Sequence, residues 1–235
     1  MHTFPFKRTL WLSALAASLA AGWASSGLAD EIGTTIVVVR TVYGTLQTET
    51  KQLVVHDGVQ QNELITTAAD AASQIEFIDG TKLALGPRAR VTLDKFVFDP
   101  NPSKGAFVMS VSEGVFRFVT GSMDHSNYAI TTPSGTIGVR GTKFNLLVLN
   151  DRTICQMIDG EAFGKSGDDP VVKGYHGGEY FTMRRGTSPS DPDDRSIIDA
   201  QVARMDGLLG GTRFADLSPA PDTHPHQTVS PTRPD

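Results

Sequence analysis

Hydrophobic and polar residues alternate in short runs through the middle of this chain, and the runs end at Asp-Gly or Glu-Gly pairs. Residues 73–78 alternate with a period of two, Asp79 and Gly80 follow, and a second short run occupies 81–85. Period-two alternation is typical of half-buried strands, and an Asp-Gly pair between two such runs favours a hairpin or a corner. The same device recurs at irregular intervals, at residues 57–58, at Glu113-Gly114 and at Asp159-Gly160.

The fold class follows from the length of these runs. Short strands bury their apolar sides only when they stack in a sandwich, a barrel or a solenoid. We find no convincing helix between residues 36 and 187. The pattern therefore predicts an all-β domain over residues 30–186, with its core at 36–149, in a short β-solenoid-like or stacked-strand arrangement.

The composition changes after residue 181. Residues 187–194 contain two prolines and three aspartates and are predicted to be a linker. Ile198, Val202, Met205 and Leu209 then recur at helical spacing, so residues 195–211 are predicted to form an amphipathic helix that ends at a glycine pair. This helix either packs across the β-domain or binds a partner. Residues 212–235 are rich in proline and predicted to be a disordered tail.

The first residues of the chain have the pattern of an export signal. Lys7 and Arg8 precede an apolar run at residues 9–23, and small residues stand at Gly27 and Ala29. A charged start, an apolar core and a small-residue cleavage site predict a secretory signal peptide over residues 1–29, with a mature start at Asp30. The alternative is an uncleaved membrane anchor. The protein is therefore expected to be periplasmic or secreted, without stable membrane insertion after cleavage.

Charge and cysteine content narrow the function classes further. The formal net charge is −5, which argues against nucleic acid as a partner because nucleic-acid binding calls for a basic surface. Cys155 is the only cysteine, so an internal disulfide is excluded. Its apolar neighbours predict a small buried hydrophobic residue, with a reactive thiol as the alternative.

The search for catalytic motifs leads to a non-enzymatic interpretation. Residues 160–166 superficially suggest a phosphate-binding loop, but Asp159 stands where that motif requires its first glycine. The six histidines are scattered, and none has the spacing of a local metal pair on a helix. We therefore predict no catalytic residue, no cofactor and no metal site.

The most informative stretch of the chain is residues 132–144. It opens with Thr132 and Pro133 and continues through Gly138, Val139, Arg140, Gly141, Thr142 and Phe144. The two glycines indicate a bent or closely approached backbone. We expect Arg140 to be buried between the bent strands, where its five donors would hold nearby acceptors. The competing hypothesis places Arg140 on an exposed binding groove.

Several segments in order resemble the FecR domain, and residues 137–144 are the most specific of them. The others are Gly44 and residues 64–67, 75–83, 93–94, 114–117 and 132–133. The resemblance implies an extracytoplasmic, all-β, solenoid-like domain. The best-known family members relay a signal from an outer-membrane iron-siderophore receptor to a cytoplasmic sigma factor. Only eight residues precede the apolar run here, so the chain more closely resembles the secreted, stand-alone members.

The resulting functional hypothesis is an exported, non-enzymatic protein that binds another envelope component, either a protein or part of the cell wall. A first alternative is a soluble accessory of siderophore-receptor and sigma-factor signalling. A second is an envelope hydrolase, which would need a deep pocket with clustered carboxylates or a His-Ser pair.

Overall fold

The computed structural model describes residues 31–99, 101, 104–124, 127–167, 169, 171–192 and 195–210. These residues form 15 strands and one helix. The elements are β1 (Glu31–Val39), β2 (Val42–Leu46), β3 (Glu49–Gln52), β4 (Gly58–Gln60), β5 (Leu64–Thr67), β6 (Ala72–Phe77), β7 (Lys82–Leu85), β8 (Arg90–Val97), β9 (Ala106–Val119), β10 (Tyr128–Thr132), β11 (Gly135–Val148), β12 (Thr153–Ser166), β13 (Val172–His176), β14 (Tyr180–Arg184), β15 (Thr187–Ser190) and α1 (Ser196–Leu208).

All strands belong to one continuous sheet whose pairing divides into two halves. The helix-side half consists of β4, β1, β6, β7, the C-terminal parts of β9 and β11, the N-terminal part of β12, β14 and β15. The open half consists of β3, β2, β5, β8, the N-terminal part of β9, β10, the N-terminal part of β11, the C-terminal part of β12 and β13. The all-β prediction is confirmed.

Three strands of 14 residues connect the halves, and each bends at a glycine. Strand β9 bends at Gly114 (φ +108°), β11 at Gly141 (φ +56°) and β12 at Gly160 (φ +78°). Residues other than glycine rarely adopt such positive φ values. The glycines at 114 and 160 are therefore corners inside long strands, where one strand leaves one set of partners and joins another.

The core lies between the two halves and is rich in aromatic rings. Phe77 on the helix-side half stacks on Phe96 of the open half, with ring centroids 5.8 Å apart. Phe107 of the open half contacts Phe77 at 4.9 Å and Phe118 at 5.5 Å, both edge to face. Edge-to-face and offset pairs add stability beyond the apolar area they bury. Cys155 is also fully buried in this core, as the sequence predicted.

The predicted helix is confirmed as α1, which packs on the outer side of the helix-side half. Ile198, Val202 and Met205 are its buried residues, as the helical spacing indicated. They join a second apolar cluster with residues of β7, β9, β11 and β12. The predicted linker is wrong over its first half, because residues 187–190 form β15 and pair with β14.

Other predictions fall on residues outside the described part of the chain. These are the signal peptide at 1–29, the mature start at Asp30 and the tail at 212–235. Among the described residues, no helix combines the length and the apolar content that crossing a membrane requires.

Candidate binding surface

The motif at residues 132–144 begins with a tight turn between β10 and β11. The Thr132 hydroxyl accepts hydrogen bonds from the backbone N–H groups of Ser134 and Gly135, each at 3.2 Å, and donates to the carbonyl of Gly135. The carbonyl of Pro133 accepts a bond from Arg185 Nε at 2.6 Å. Thr132 and Pro133 therefore fix the start of β11 against its neighbours.

The centre of the motif is a β-bulge at the bend of β11. The pairing of β11 with β12 shifts between Arg140 and Lys143. Inside the bulge, the buried Thr142 hydroxyl accepts the backbone N–H of Arg140 at 2.9 Å and donates to the carbonyl of Glu161 at 2.8 Å. A bulge changes the direction in which the neighbouring side chains point. Thr142 thus holds the backbones of Arg140 and Glu161 in register.

The bends of β11 and β12 meet at this bulge. A side chain at Gly160 would overlap the carbonyl oxygen of Gly141. Asp159 Oδ1 accepts the backbone N–H of Gly160 at 2.9 Å. The close approach of the two backbones explains why position 160 lacks a side chain, and the positive φ of Gly141 favours glycine there.

Arg140 points away from the core, so its predicted burial is wrong. Its side chain is 57% exposed, and its guanidinium lies 3.9 Å from Glu161 Oε2 and 5.8 Å from the centre of the Phe163 ring. Ile137, Val139 and Phe144 are the motif residues whose apolar side chains enter the core. Successive side chains of a strand alternate between its two sides, and Val139 takes the inner one.

Gly138 also differs from expectation, because a Cβ at this position would meet nothing within 4 Å. It pairs with Ala129 on one side and Phe163 on the other. Phe163 in turn pairs with Gly174 on β13. A Cβ placed at Gly174 would lie 3.6 Å from the Phe163 ring. The space above Gly138 is therefore open, and Phe163 forms its wall.

These outward positions form one patch, which we call the motif face. It consists of Thr136, Gly138, Arg140, Glu161, Phe163 and His176. Thr136, Arg140 and His176 are exposed, and the other three are partly buried. An arginine over an aromatic ring offers a planar cation, donors and apolar area together, which suits contact with another molecule.

The predicted turn at Asp79 and Gly80 serves a buried polar network. Asp79 accepts hydrogen bonds from the Thr81 backbone and hydroxyl, at 2.9 and 2.6 Å, and from the Tyr128 hydroxyl at 2.8 Å. Burial, and then the nearby Asp79 carboxylate, raise the pKa of Tyr128. Gly80 has φ +83° but Asp79 does not share a positive φ, so the turn is not type I′.

Arg117 is the residue that sequence reasoning missed. It lies on the outer side of the helix-side half, 5% exposed, and its guanidinium binds both carboxylate oxygens of Asp206 on α1 at 2.8 and 2.9 Å. Arg117 Nε also donates to Asn145 Oδ1 at 2.7 Å. A signal for this role was present, since Arg117 stands in an otherwise apolar run (115–119), which indicates a strand covered on both sides.

The polar contacts continue across the sheet beneath the helix. Asn145 donates to Gln156 Oε1 at 2.6 Å, and Gln156 in turn donates to the Tyr180 hydroxyl. The Tyr180 hydroxyl donates to Asp199 on α1 at 3.0 Å. This row, which we call the helix network, attaches α1 to the sheet at both Asp206 and Asp199.

No cluster of three or more His, Cys, Asp or Glu side chains able to hold a metal occurs in the described part of the chain. Burial raises the pKa of the Cys155 thiol well above its ordinary value, so the thiolate needed for nucleophilic attack is disfavoured. The motif face combines a cation, a carboxylate and an aromatic ring at contact distances suited to recognition.

Comparison with known proteins identifies a related family for the central part of the chain. Residues 63–163 match the family model described as FecR protein. This range contains the whole motif and most of the motif face, and it agrees with the resemblance seen in the sequence. No curated protein sequence matches the chain significantly.

Two solved structures align with part of this chain. Both are of a protein from Parabacteroides distasonis ATCC 8503 that is described provisionally as an anti-sigma factor. One is 15% identical with a TM-score of 0.45, and the other is 13% identical with a TM-score of 0.44. Each alignment covers 57% of this chain and 62% of the other, so the chain spans less than two thirds of those structures.

Proposed function

We propose that this protein, whose residues 63–163 match the FecR family model, is a non-enzymatic, exported component that binds another envelope component through the motif face. The FecR match favours a regulatory class of function over a catalytic one. The partner is then a protein or a cell-wall component that contacts the sheet around Arg140.

One observation carries this proposal. Arg140 is exposed beside Phe163 and above the open space at Gly138, although the backbone around it is held by buried hydrogen bonds of Thr142. A rigid backbone lowers the entropy lost when a partner orders the surface. Arginine and aromatic residues in such settings contribute a large part of the binding energy at protein interfaces.

Export is the second element of the proposal and rests on the sequence. The charged start, apolar run and small residues of segment 1–29 support it. N-terminal sequencing of the protein from a periplasmic fraction would test it, with Asp30 as the expected first residue. Recovery of the uncleaved chain in the membrane fraction would contradict this part of the proposal.

A role in signalling is the more specific form of the hypothesis. The FecR family implies a relay between envelope and cytoplasm, and a protein of this kind could act as a soluble accessory of such a relay. This form requires that the partner of the motif face be a signalling protein. Identification of the captured partner by mass spectrometry distinguishes it from a cell-wall ligand.

The main test compares capture by matched variants. Purified wild-type protein, Arg140→Ala and Phe163→Ala are used as baits for envelope extracts, with Arg40→Ala as the control. Arg40 is a fair control because its side chain is 56% exposed, nearly as much as that of Arg140, but it lies in the bend after β1, outside the motif face. We expect both motif-face variants to lose the partner that wild type and Arg40→Ala retain.

The same experiment can contradict the proposal. If Arg140→Ala and Phe163→Ala capture the same partner as wild type with equal yield, the motif face is not the binding surface. Melting curves of each bait show whether a lost partner reflects the surface or a damaged fold. A partner lost only by variants that melt early would assign these residues a structural role.

A further inference from the structure

A second candidate site lies at the other end of the open half, away from the motif face. The β2–β3 hairpin and the turn after β4 line a half-open pocket of about 200 Å³. Its lining residues are Gly44, Leu46, Glu49, Lys51, Gln60 and Glu63. The register of the hairpin explains the arrangement, because Gly44 pairs with Lys51 and Leu46 with Glu49. Alternating residues of both strands therefore face the same space.

Glu63 is a buried carboxylate in this pocket. The residue is only 3% exposed. Its Oε2 accepts the backbone N–H of Gln60 at 2.8 Å, while Oε1 has no hydrogen-bond donor among the described residues. Burial raises the pKa of Glu63, against the smaller lowering effects of the Gln60 N–H and the Lys51 charge. A carboxylate in this condition is stabilised by any cation that reaches Oε1.

The backbone leaves room for this oxygen. A Cβ at position 44 would collide with Glu63 Oε1 and would also lie 3.2 Å from the Leu53 side chain. Gly44 does not need a glycine for its backbone angles, because its φ is not in the left-handed region. The missing side chain is thus explained by the space that the carboxylate occupies.

We propose that this pocket binds a primary ammonium group, with Glu63 Oε1 as the principal acceptor. The two carboxylates of Glu49 and Glu63 and the ammonium of Lys51 give the lining a net charge of about −1 when all are ionised, which matches a monovalent cation better than a divalent one. The amide of Gln60 supplies a neutral acceptor. Leu46 offers apolar area to the first carbons of an alkylamine.

The charge of Lys51 gives a second prediction about binding in this pocket. It lines the pocket but makes no ion pair with Glu63 in the described part of the chain, and it is exposed on β3. A bound ammonium would experience its like charge. Removal of the Lys51 charge should therefore strengthen binding, whereas removal of the Glu63 charge should abolish it.

The experiment is a titration of the purified chain with n-butylammonium chloride, followed by ¹H–¹⁵N NMR. We expect saturable shifts of the amides of Gly44, Gln60 and Glu63. n-Butanol and sodium chloride at equal concentrations are the matched controls for the apolar tail and for ionic strength.

A second titration uses Nα-acetyl-lysine N-methylamide, which presents the same ammonium as a lysine side chain of a polypeptide. Tighter binding of this probe assigns the natural ligand to a polypeptide, and tighter binding of n-butylammonium assigns it to a small amine.

Two variants test the roles of the charges. Glu63→Gln keeps the shape and an acceptor for the Gln60 N–H, and we expect it to lose at least about tenfold in affinity, as for a lost charge-assisted hydrogen bond. Lys51→Met should gain several-fold in affinity. The proposal is wrong if n-butanol causes the same shifts as n-butylammonium, or if Lys51→Met binds more weakly than wild type. It is also wrong if neither amine binds at concentrations up to about 50 mM, which corresponds to a binding free energy of less than about 2 kcal/mol. Because Lys51 is exposed, that variant keeps the test valid even if Glu63→Gln fails to fold.

Discussion

The two outer faces of the molecule use the same residue type in opposite ways. On the helix-side half, Arg117 is 5% exposed and held by two short bonds to Asp206. On the open half, Arg140 is 57% exposed and lies 3.9 Å from Glu161. Both arginines point outward from a strand, so position on the strand does not distinguish them. The difference is whether another element covers the face, and only the helix-side half is covered by α1 in the described residues.

Coverage by α1 therefore distinguishes the arginine that stabilises the fold from the one that is available for binding. A charge pair removed from water is strongly destabilising to break, because the remaining partner stays buried and uncompensated. An exposed pair at 3.9 Å contributes little, since water screens both charges. The helix network is therefore expected to stabilise the fold, and the motif face is free to contact a partner.

The largest expected effect is on the covered face. Asp206→Ala leaves the guanidinium of Arg117 buried without its carboxylate, and we expect a loss of about 3 kcal/mol in unfolding free energy, at the low end for buried pairs because Asp206 is 31% exposed. For a domain of this size that corresponds to a fall of roughly 6–12 °C in melting temperature. Differential scanning calorimetry provides the measurement.

The matched control is Asp70→Ala. Asp70 pairs with Arg40 at 2.9 Å, but both side chains are more than half exposed. We expect a change within about 0.5 kcal/mol. Equal losses for the two variants would show that burial beneath α1 does not strengthen the Arg117–Asp206 pair.

The bends that join the two halves give the next largest effect. Gly160→Ala combines a positive φ with an overlap of the new methyl group and the Gly141 carbonyl, so we expect a loss of about 2 kcal/mol or more. Gly80→Ala shares the positive φ but meets nothing within 4 Å, and about 1 kcal/mol is expected. Urea unfolding at constant m-value compares them. A smaller loss for Gly160→Ala than for Gly80→Ala would contradict the close approach of β11 and β12.

Much of the fold could be predicted from local patterns. Period-two runs indicated an all-β domain, and the spacing of Ile198, Val202 and Met205 placed the helix to within one residue at its start and three at its end. These features depend on neighbours a few residues apart. The extended pairing of residues 187–190 was not predicted, because Pro189 and the proline and aspartates that follow at 191–194 obscure a strand that forms only against β14.

The roles of the two arginines could not be assigned in the same way. The partner of Arg117 lies 89 residues further along the chain, so no local pattern identifies it. Gly138 and Gly141 suggested crowding around Arg140, but only Gly141 has a positive φ, and the space above Gly138 is open. A glycine in a strand therefore indicates either a bend or an open surface, and the sequence alone does not distinguish them.

A smaller effect is expected at the other end of the helix network. Tyr180→Phe removes the hydroxyl that accepts from Gln156 and donates to Asp199, while the ring remains beside Arg195 at 4.8 Å. We expect a loss of about 1 kcal/mol, or roughly 2–4 °C in melting temperature. Thermal unfolding followed by circular dichroism measures it. No change in melting temperature would mean that the hydrogen bonds of the Tyr180 hydroxyl do not stabilise the packing of α1.

The smallest effect on stability is expected on the open face, where the two hypotheses for Arg140 make opposite predictions. Arg140→Ala should leave the melting temperature within about 2 °C of wild type, because surface substitutions change stability by about 0.5 kcal/mol or less. The backbone N–H of Arg140, which bonds to Thr142, is retained in this variant. Thr142→Val is the contrasting variant, since it removes a buried hydroxyl with bonds to both strands and should destabilise by about 1–3 kcal/mol. If Arg140→Ala instead melts as early as Thr142→Val, the exposed arginine contributes to the fold after all. In that case, the distinction between a stabilising face and a binding face does not hold.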